Sequence, residues 1–388
     1  MSSKPDSPLI QLHFSGDAYF AGALRAISEA TEEVLLESYI YDLDPIGLRI
    51  LQALEAAHHR GVRVRLLVDG IGSFNWWRSL RAKCANSGLP FRVYHPLPVS
   101  SKIRLSWRAL RKLLLLFRRM NQRNHRKVIM IDRKIAFLGS LNISQVHTEE
   151  FMGDHAWRDT GVEIRFSDGD ADAALLRSAF FRTWQRTERL RVSTYPARFL
   201  RRLQRMHQLN SRLRLNSFAW GRYLLLKDLL IRMRTAKHRI YITNAYFIPR
   251  RAILIALRRA ARRGVHVALV LPQKTDVWFV REAARSLYLR LLLEGIHIYE
   301  YKPRVLHAKT LVIDDWGTVG SHNLNHRSLL HDLEVETVID EPQLVEQLIS
   351  RWRQDVRESN EITLEDLGKF PFYRRWISRL VYWFRYWL

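Results

Sequence analysis

The feature that most limits how this chain can fold is an internal duplication. Residues 34–41, VLLESYIY, have the nearly continuous apolar pattern of a buried strand, and residues 239–248, RIYITNAYFI, match them in type. The predicted helices that follow span about 46–59 and 252–263. In each copy a Gly-Val pair, at Gly61 or Gly264, then opens a second strand. A strand, a helix and a strand joined by short turns predict a right-handed βαβ unit with a buried parallel sheet, here built twice.

A third matching element carries the candidate chemistry. The first copy reads HRKVIMID over residues 125–132, followed by GSLN at 139–142, and the second reads HAKTLVID over 307–314, followed by GSHN at 320–323. Each histidine and the lysine two residues later alternate along a predicted strand, so both side chains should point to one face. A lone histidine on a strand is usually structural. Two copies with nearly the same downstream spacing argue instead for a shared function.

These residue types suit the transfer of a phosphoryl group. A lysine, an asparagine and a small hydroxyl provide donors for an anionic oxygen, and two such sets facing each other would hold a phosphoryl group from both sides. Two imidazoles on opposite sides of the phosphorus would let one attack while the other protonates the leaving oxygen. The predicted catalytic residues are His125, Lys127, Asp132, His307, Lys309 and Asp314, and the predicted phosphate-binding or supporting residues are Ser140, Asn142, Ser321 and Asn323.

A carboxylate behind each histidine would set its tautomer and hold the ring. The segment DTGVEI from Asp159 aligns with EVETVI from Glu334, which makes these two carboxylates the candidates. Gly139 and Gly320 are expected to let the backbone approach a ligand closely. The mechanism needs no metal or cofactor. Since the sequence offers no tight cluster of histidines and carboxylates with ligand spacing, neither is predicted.

Composition indicates an anionic partner. The net charge is +25, which suits nucleic acid, an anionic lipid surface or a phosphorylated substrate, and the 12 tryptophans suit a membrane interface. Cys84 is the only cysteine, so no intrachain disulfide and no cysteine metal cluster can form. No apolar run approaches the roughly 20 residues that span a bilayer, and the N-terminus lacks a signal-peptide pattern. We therefore expect a soluble or peripheral protein in the cytosol.

Two basic amphipathic segments are predicted to lie at a membrane interface. Relative to the second copy, the first has extra residues before His125, and they read as a helix with one apolar face among arginines. The C-terminal segment 370–388 repeats this pattern. The predicted interface residues are Trp107, Leu110, Leu114 and Phe117 in the first segment and Trp376, Leu380, Trp383 and Trp387 in the second. The alternative for both is a helix packed on the protein body or, at the C-terminus, in a dimer interface.

The paired HxKxxxxD motifs with downstream GSxN resemble those of the phospholipase D superfamily over about residues 10–356. The chain is most similar to bacterial cardiolipin synthases of the short, peripheral type, through LLESYIYDLDPIG at 35–47, VRLLVDGIGS at 64–73 and NLNHRSLLHDLE at 323–334. The last segment resembles a family pattern NxDxRS…E but has Asn325 where many members have aspartate. The Gly-Ser pair of the first copy is often Gly-Gly in that family.

The resemblance implies an α/β fold of two similar phospholipase D-type domains with pseudo-two-fold symmetry and one shared active site. It also implies a covalent phosphohistidine, with His125 as the nucleophile and His307 as the acid. The expected division is an N-terminal domain at 1–185, a helical connector at 186–230, a C-terminal domain at 231–356 and an amphipathic membrane-interface tail at 357–388.

The implied reaction is cardiolipin synthesis on the cytoplasmic face of a bacterial inner membrane. Phosphatidylglycerol would donate a phosphatidyl group to a second lipid alcohol, with phosphatidylethanolamine as a further candidate lipid partner. Hydrolysis of phospholipids to phosphatidic acid would use the same residues, although a dry cleft under amphipathic helices favours transfer. A nuclease of the same superfamily would also suit the positive charge. Nucleic acid is disfavoured because the basic residues alternate with apolar runs and tryptophan. The sequence leaves the oligomeric state open.

Overall fold

The fold is organised around two β-sheets, one from each half of the chain. A computed structural model describes residues 9–96, 122–187, 211–217 and 219–369. The strands of the first half are β1 Leu9–His13, β2 Glu33–Ser38, β3 Arg63–Asp69, β4 Phe91–Tyr94, β5 Val128–Ile131, β6 Ile135–Gly139 and β7 Gly161–Arg165. They form a seven-stranded sheet in the order β1-β7-β6-β5-β2-β3-β4.

The second half repeats this arrangement with one extra edge strand, β15. Its strands are β8 Leu213–Leu215, β9 Arg239–Asn244, β10 His266–Pro272, β11 His297–Tyr301, β12 Lys309–Ile313, β13 Trp316–Gly320, β14 Val335–Ile339 and β15 Ser359–Glu361. They form an eight-stranded sheet in the order β15-β11-β10-β9-β12-β13-β14-β8. Strands β2 to β7 of the first sheet therefore correspond one by one to β9 to β14 of the second, which confirms the duplication.

Helices cover the outer faces of both sheets and the space between them. The helices of the first half are α1 Gly16–Ser28, α2 Pro45–His59, α3 Trp77–Asn86, α4 Glu149–Met152 and α5 Ala171–Arg186. Those of the second half are α6 Ala219–Thr235, α7 Arg251–Arg262, α8 Trp278–Arg285, α9 Tyr288–Leu292, α10 His326–Leu330, α11 Pro342–Arg357 and α12 Leu364–Lys369. Short 3₁₀ turns at Gln145–His147 and Gly153–His155 flank α4.

Local sequence explains where the main helices begin. At α2 the carboxylate of Asp44 accepts a hydrogen bond from the backbone N–H of Gly47 at 2.9 Å, and Pro45 occupies the first helical turn, where its missing N–H costs nothing. At α5 Asp170 plays the same part by accepting from two backbone N–H groups of the first turn. These caps fix the crossovers that follow β2 and β7.

Each sheet is mixed rather than wholly parallel. Strands β2, β3 and β4 are parallel, as are β9, β10 and β11, which confirms the predicted βαβ units. Strands β5 and β12, which follow the HxK segments, run antiparallel to β2 and β9. An antiparallel neighbour begins where the parallel strand ends. The start of β5, and with it His125, therefore lies beside the carboxyl end of β2.

The largest buried core lies between the two sheets. It joins apolar side chains of β5 to β7 and α5 with those of β12 to β14 and α11, so the halves share one interior. Two further cores fill the outer sides, one between the first sheet and helices α1 to α3, the other between the second sheet and helices α6, α7 and α9. The shared core holds the two histidine motifs in a fixed relation.

Parts of the predicted organisation lie outside the described residues. Both predicted membrane segments, with Trp107, Leu110, Leu114 and Phe117 and with Trp376, Leu380, Trp383 and Trp387, fall there, so they stay predictions. Within the predicted connector 186–230, the described part includes β8, which pairs with β14, and the beginning of α6. The domain boundaries at 185, 230 and 356 also stay predictions. Among the described helices, none has the length and apolar character needed to cross a bilayer.

Candidate active site

The two HxK segments meet where the halves touch. The backbone N–H of His125 donates to the carbonyl of Leu333 at 3.0 Å, and the N–H of His307 donates to the carbonyl of Arg158 at 2.9 Å. Each contact belongs to a short parallel bridge that joins one half to the other. The histidines were predicted to lie on strands. They lie instead just before β5 and β12, because their backbone pairs across the interface with the opposite half.

These bridges pair each histidine with a carboxylate of the opposite half. Nδ1 of His125 lies 3.0 Å from both carboxylate oxygens of Glu334, and Nδ1 of His307 lies 2.8 Å from Oδ1 of Asp159. A carboxylate can only accept, so Nδ1 donates in both cases and Nε2 keeps its free lone pair. The structure thus brings both predicted orienting carboxylates to the histidines, and it does so crosswise.

Burial keeps both imidazoles neutral. The pKa of His125 is lowered well below its usual value by burial, and further by the positive charges of Lys127 and Lys309. Burial and Lys309 lower the pKa of His307 to about 4, against the opposing effect of Asp159. The mutual influence of these groups across the halves shows that the two motifs form a single site.

The two lysines are equally buried. Nζ of Lys127 donates to the carbonyl of His125 at 2.8 Å, and Lys309 donates to the carbonyl of His307 in the same way. Burial lowers the pKa of Lys127 to about 7 and that of Lys309 to about 8. An ammonium has three donors, so each lysine keeps two for an anionic ligand. A bound anion would in turn favour the charged lysines.

A tyrosine stands beside each histidine, and neither was predicted. The ring of Tyr39 lies 4.8 Å from that of His125, and the ring of Tyr246 lies 6.4 Å from that of His307, measured between centroids. Lys127 Nζ also lies 5.2 Å from the centre of the Tyr39 ring, within cation–π range. The signal available in the sequence was the tyrosine near the end of both repeated strand segments.

His147 is a further residue that the sequence did not reveal. Its Nδ1 lies 2.7 Å from Oδ2 of Asp159, whose other oxygen holds His307, and its Nε2 accepts from the backbone N–H of Asn142 at 3.2 Å. Burial alone would raise the pKa of Asp159, but His147 and His307 together hold it well below its usual value. His147 has no counterpart in the repeated motifs, so pattern matching between the copies could not find it.

His147, Asp159 and His307 together have the composition of a metal site, because their ligand atoms lie within 4.8 Å of one another. The sequence predicted no such cluster, since the three residues are distant along the chain. Each Nδ1 to oxygen distance is that of a hydrogen bond, and each carboxylate oxygen serves one ring. Hydrogen bonding therefore accounts for the position of these atoms.

The serines and asparagines of the GSxN segments support the site. Ser140 donates to the carbonyl of Thr160, and Ser321 donates to Glu334, both from hydroxyls that have a single hydrogen. Their hydroxyl protons are thus engaged within the protein. The amide oxygen of Asn142 accepts from the backbone N–H of Ile40 at 3.2 Å, which leaves its NH₂ group as a donor. Asn323 is buried at the equivalent position of the second half.

The glycines before these serines are required by the packing of the sheet. A Cβ on Gly139 would lie 2.5 Å from the carbonyl oxygen of Thr160, and Gly139 has a φ of +145°. A Cβ on Gly320 would lie 2.3 Å from the carbonyl oxygen of Val335. Both contacts are with the neighbouring strand, so glycine permits close pairing of β6 with β7 and of β13 with β14.

The last residues of the two HxKxxxxD motifs, which were predicted to be catalytic, lie away from the histidines and make the contacts of structural residues. Asp132 follows β5, about 20 Å along the strand from His125 at the usual rise per residue. Its carboxylate accepts from the backbone N–H groups of Thr31, Glu32 and Glu33 at 2.8 Å. Asp314 binds the corresponding N–H groups before β9. Both aspartates therefore hold the loop that enters the parallel strand.

Buried ion pairs fix the segments that carry the site. Arg123, two residues before His125, donates to Asp69 at 2.6 Å, and Asp69 also accepts from the backbone N–H of Asn124. Arg158, next to Asp159, donates to both oxygens of Asp355 at 3.0 and 2.8 Å. Such pairs are costly to break because each partner would be left buried and unpaired.

The departure from the family pattern at Asn325 has a local explanation. Its amide oxygen accepts from the backbone N–H of Ser328 at 2.8 Å and so caps α10. Asparagine and aspartate serve equally well as N-caps. The substitution therefore preserves the turn that leads to Arg327 and Glu334.

Comparison with known proteins finds a match in each of the two halves. Residues 23–152 and 229–356 match the family described as cardiolipin synthase, PLD-like domain. Cardiolipin synthase B of Salmonella typhi is 33% identical over 344 residues, which cover 85% of this chain and 76% of that protein. The cardiolipin synthase of Alkalihalophilus pseudofirmus is 31% identical over 371 residues, which cover 94% of this chain and 69% of that protein.

Solved structures show the same fold at low sequence identity. Phosphatidylserine synthase of Haemophilus influenzae Rd KW20 is similar with a TM-score of 0.67 at 13% identity, covering 97% of this chain and 92% of that one. Polyphosphate kinase of Porphyromonas gingivalis has a TM-score of 0.56 at 16% identity, covering 90% of this chain and 50% of that one. The matched domains and the relatives above 30% identity establish that this chain belongs to the cardiolipin synthase family of the phospholipase D superfamily.

Proposed function

We propose that this chain synthesises cardiolipin as a phosphatidyltransferase. Phosphatidylglycerol would be the donor, and a second phosphatidylglycerol or another lipid alcohol the acceptor. The observation that carries the proposal is the pair of buried histidines, each held by a carboxylate of the opposite half and each followed by a buried lysine. The names of the relatives, which are cardiolipin synthases, support the lipid class.

The reaction proceeds in two displacements at phosphorus. In the first, Nε2 of His125 attacks the donor, a phosphorus–nitrogen bond forms, and the bond from phosphorus to the glycerol oxygen breaks. His307 gives its proton to the leaving glycerol. In the second, the acceptor hydroxyl attacks phosphorus, His307 takes the hydroxyl proton, and the phosphorus–nitrogen bond breaks. One phosphodiester replaces another, so no nucleotide is required.

The surroundings of the two histidines support these roles. His307 pairs with Asp159, whose lowered pKa keeps its charge, and a fixed negative charge stabilises the imidazolium that an acid needs. His125 pairs with Glu334, whose pKa burial raises, so the imidazolium form of His125 is supported less. The neutral ring of His125 suits a nucleophile.

Substrate binding favours the protonated form of His307. In the free enzyme the pKa of about 4 leaves His307 neutral near pH 7. A phosphodiester anion between the two histidines favours the charged ring and raises that pKa. The lysines gain protons for the same reason and stabilise the charge that spreads over the phosphoryl oxygens.

The lipid substrates place the enzyme at a membrane surface. The net charge of +25 favours an anionic phospholipid membrane as the partner. Location on the cytoplasmic face of the inner membrane, by peripheral attachment, is part of this proposal, as is phosphatidylethanolamine as a further lipid partner.

The test is mass spectrometry of lipids after incubation of purified protein with phosphatidylglycerol vesicles, with and without phosphatidylethanolamine. Cardiolipin that appears with the wild type and not with His125→Ala supports the transferase. Phosphatidic acid alone would assign a hydrolase. Absence of any lipid turnover, with cleavage of single-stranded DNA instead, would assign a nuclease.

The nucleophile is identified separately with His307→Ala. A donor with a nitrophenol leaving group needs no acid, so this variant should still form the phosphohistidine and release nitrophenol once per molecule. Peptide mapping should find the phosphatidyl group on His125. An adduct elsewhere, or formation of the adduct in His125→Ala, would overturn the assignment.

A further inference from the structure

Two pairs of exposed aromatic side chains lie beyond the carboxyl ends of parallel strands, one pair in the loop before α3 and the other at the first two residues of α8. Phe74 and Trp76 follow β3 and are 43% and 40% exposed, and Trp278 and Phe279 follow β10 and are 59% and 37% exposed. Large aromatic side chains are rarely left open to water in clusters without a function. Their shared placement in the fold therefore needs an explanation.

The two loops are equivalent under the duplication. Counted from the Gly-Val pairs at Gly61 and Gly264, Trp76 and Phe279 occupy the same position. The next residue is buried and anchors the helix in both copies, Trp77 at the start of α3 and Val280 in α8. The chain thus turns an aromatic residue outward at the same point of each half.

Each loop is connected to one catalytic histidine through a tyrosine. In the first half the hydroxyl of Ser73 donates to the carbonyl of Tyr39 at 3.1 Å, and the ring of Tyr39 contacts His125. In the second half the hydroxyl of Tyr246 donates to Asp276 at 2.6 Å, and the ring of Tyr246 faces His307. Ser73 and Asp276 are again equivalent positions, and they lie one residue before Phe74 and two residues before Trp278, respectively. Each pair is therefore connected to a different histidine of the one active site.

Basic side chains accompany both pairs. Helix α3 has no acidic residue, and its arginines and lysine are exposed, with Arg78 and Arg81 each 5.0 Å from the ring centre of Trp77. In the second half Lys274 is exposed. Aromatic rings with flanking cations are the composition that binds at the headgroup level of an anionic bilayer.

We propose that two loop segments, 70–76 and 273–279, the second of which extends into the first turn of α8, form a rim that rests on an anionic phospholipid bilayer. One aromatic pair enters the headgroup layer on each side of the active-site opening. This proposal rests on the proposed function, since a lipid substrate gives the rim its purpose. Phospholipid phosphates lie at the depth that such aromatic residues reach, so the rim would present donor and acceptor headgroups to His125 and His307 without removing either lipid from the membrane.

The test is sedimentation of the full-length protein with vesicles of phosphatidylcholine containing phosphatidylglycerol. Two double variants each remove one aromatic from each side, Trp76→Ser with Phe279→Ser, and Phe74→Ser with Trp278→Ser. The matched control is Leu289→Ser with Leu293→Ser, which are exposed apolar residues leading into β11 at the opposite edge of the sheet. All four positions of the rim are exposed, so thermal unfolding should show intact folds.

Each rim variant should need about tenfold more lipid for half-maximal sedimentation, while the control matches the wild type. Equal binding by the rim variants and the wild type would overturn the rim. Equal losses in the rim variants and the control would also overturn it, because the effect would then be general hydrophobicity. Sedimentation requires no turnover, so wild-type protein that binds through the rim but makes no cardiolipin would refute only the proposed function.

Discussion

Glu334 holds His125 although the two residues are distant along the chain and belong to different halves of the duplication. Both carboxylate oxygens lie 3.0 Å from Nδ1 of the ring, and the backbone on either side is joined by a bridge between Asn124 and Leu333. The ring position and the tautomer of His125 are thus set by the opposite half.

Replacement of Glu334 by glutamine should therefore remove most of the activity. An amide N–H can donate to Nδ1, which moves the ring proton to Nε2 and blocks the lone pair that must attack. Loss of the reactive tautomer lowers kcat by on the order of 10⁴-fold in other histidine-dependent enzymes, and a similar drop is expected in cardiolipin formation. The control is Glu336→Gln, on the same strand but bound to His322. Activity of Glu334→Gln within tenfold of wild type would contradict the role assigned to Glu334.

His147 should adjust the acidity of His307. The two rings share Asp159, so His147→Leu leaves the whole carboxylate to His307 and raises the pKa of that ring. The protonated ring is the acid, so the basic limb of the kcat–pH profile should move to higher pH. His155→Leu, at an exposed position on the neighbouring turn, serves as the control. A basic limb that stays in place or moves to lower pH would refute this coupling.

The buried lysines should destabilise the fold at neutral pH. Lys127 has a pKa of about 7 in the folded chain against 10.5 as its ordinary value, so between these values the unfolded chain binds more protons. Stability therefore rises as pH increases through this window, and the cost is fully present below pH 7. Lys127→Met should raise the unfolding free energy at pH 6.5 by on the order of a few kcal/mol, and Tm should rise with it. This gain should shrink towards pH 10.

Thermal unfolding at several pH values measures this effect. Lys227→Met, on the exposed face of α6, should change Tm little and by the same amount at every pH. A gain for Lys127→Met that does not depend on pH would show that the lysine is not under electrostatic strain. The variant should also be inactive, since it lacks a donor for the phosphoryl oxygens.

Asp132 should matter for stability and not for chemistry. Asp132→Asn weakens three hydrogen bonds to backbone N–H groups at the start of β2 and should cost about 1–2 kcal/mol of stability. The folded variant should keep kcat within about threefold, because the side chain lies at the far end of the strand. Asp314→Asn is the equivalent change in the second half and should behave alike. A loss as large as that of His125→Ala would restore the catalytic role.

The duplication and its motifs were sufficient to predict the fold and most of the site. Each half has its own strand, helix and strand, so local patterns identify the equivalent residues, and His125 and His307 follow from them. The same patterns did not separate Asp132 and Asp314, which lie away from the site, from the residues that meet there. A motif match does not show which end of a strand reaches the active site. The aspartates accept hydrogen bonds from local backbone N–H groups about 20 Å from the histidines along the strand.

The crosswise contacts between the halves could not be predicted, because a repeat relates equivalent residues of the two copies and does not show which residues of one copy touch the other. The crosswise pairing of His125 with Glu334 and of His307 with Asp159 depends on the shared core and on two backbone bridges. His147 escaped detection for a related reason, since it lies in the loop between β6 and β7, outside the repeated motifs, and meets Asp159 only in the folded chain.

The crosswise carboxylates also bear on why the two halves are fused. Two identical subunits meeting on a symmetry axis would offer the same acid to both rings and would treat both rings alike. One continuous chain is free of that restriction. Here it places an aspartate shared with a second imidazole on one side and a longer glutamate bound to a serine hydroxyl on the other. A fused chain therefore allows equivalent positions of the two halves to differ, so that a nearly symmetric site contains two unequal histidines.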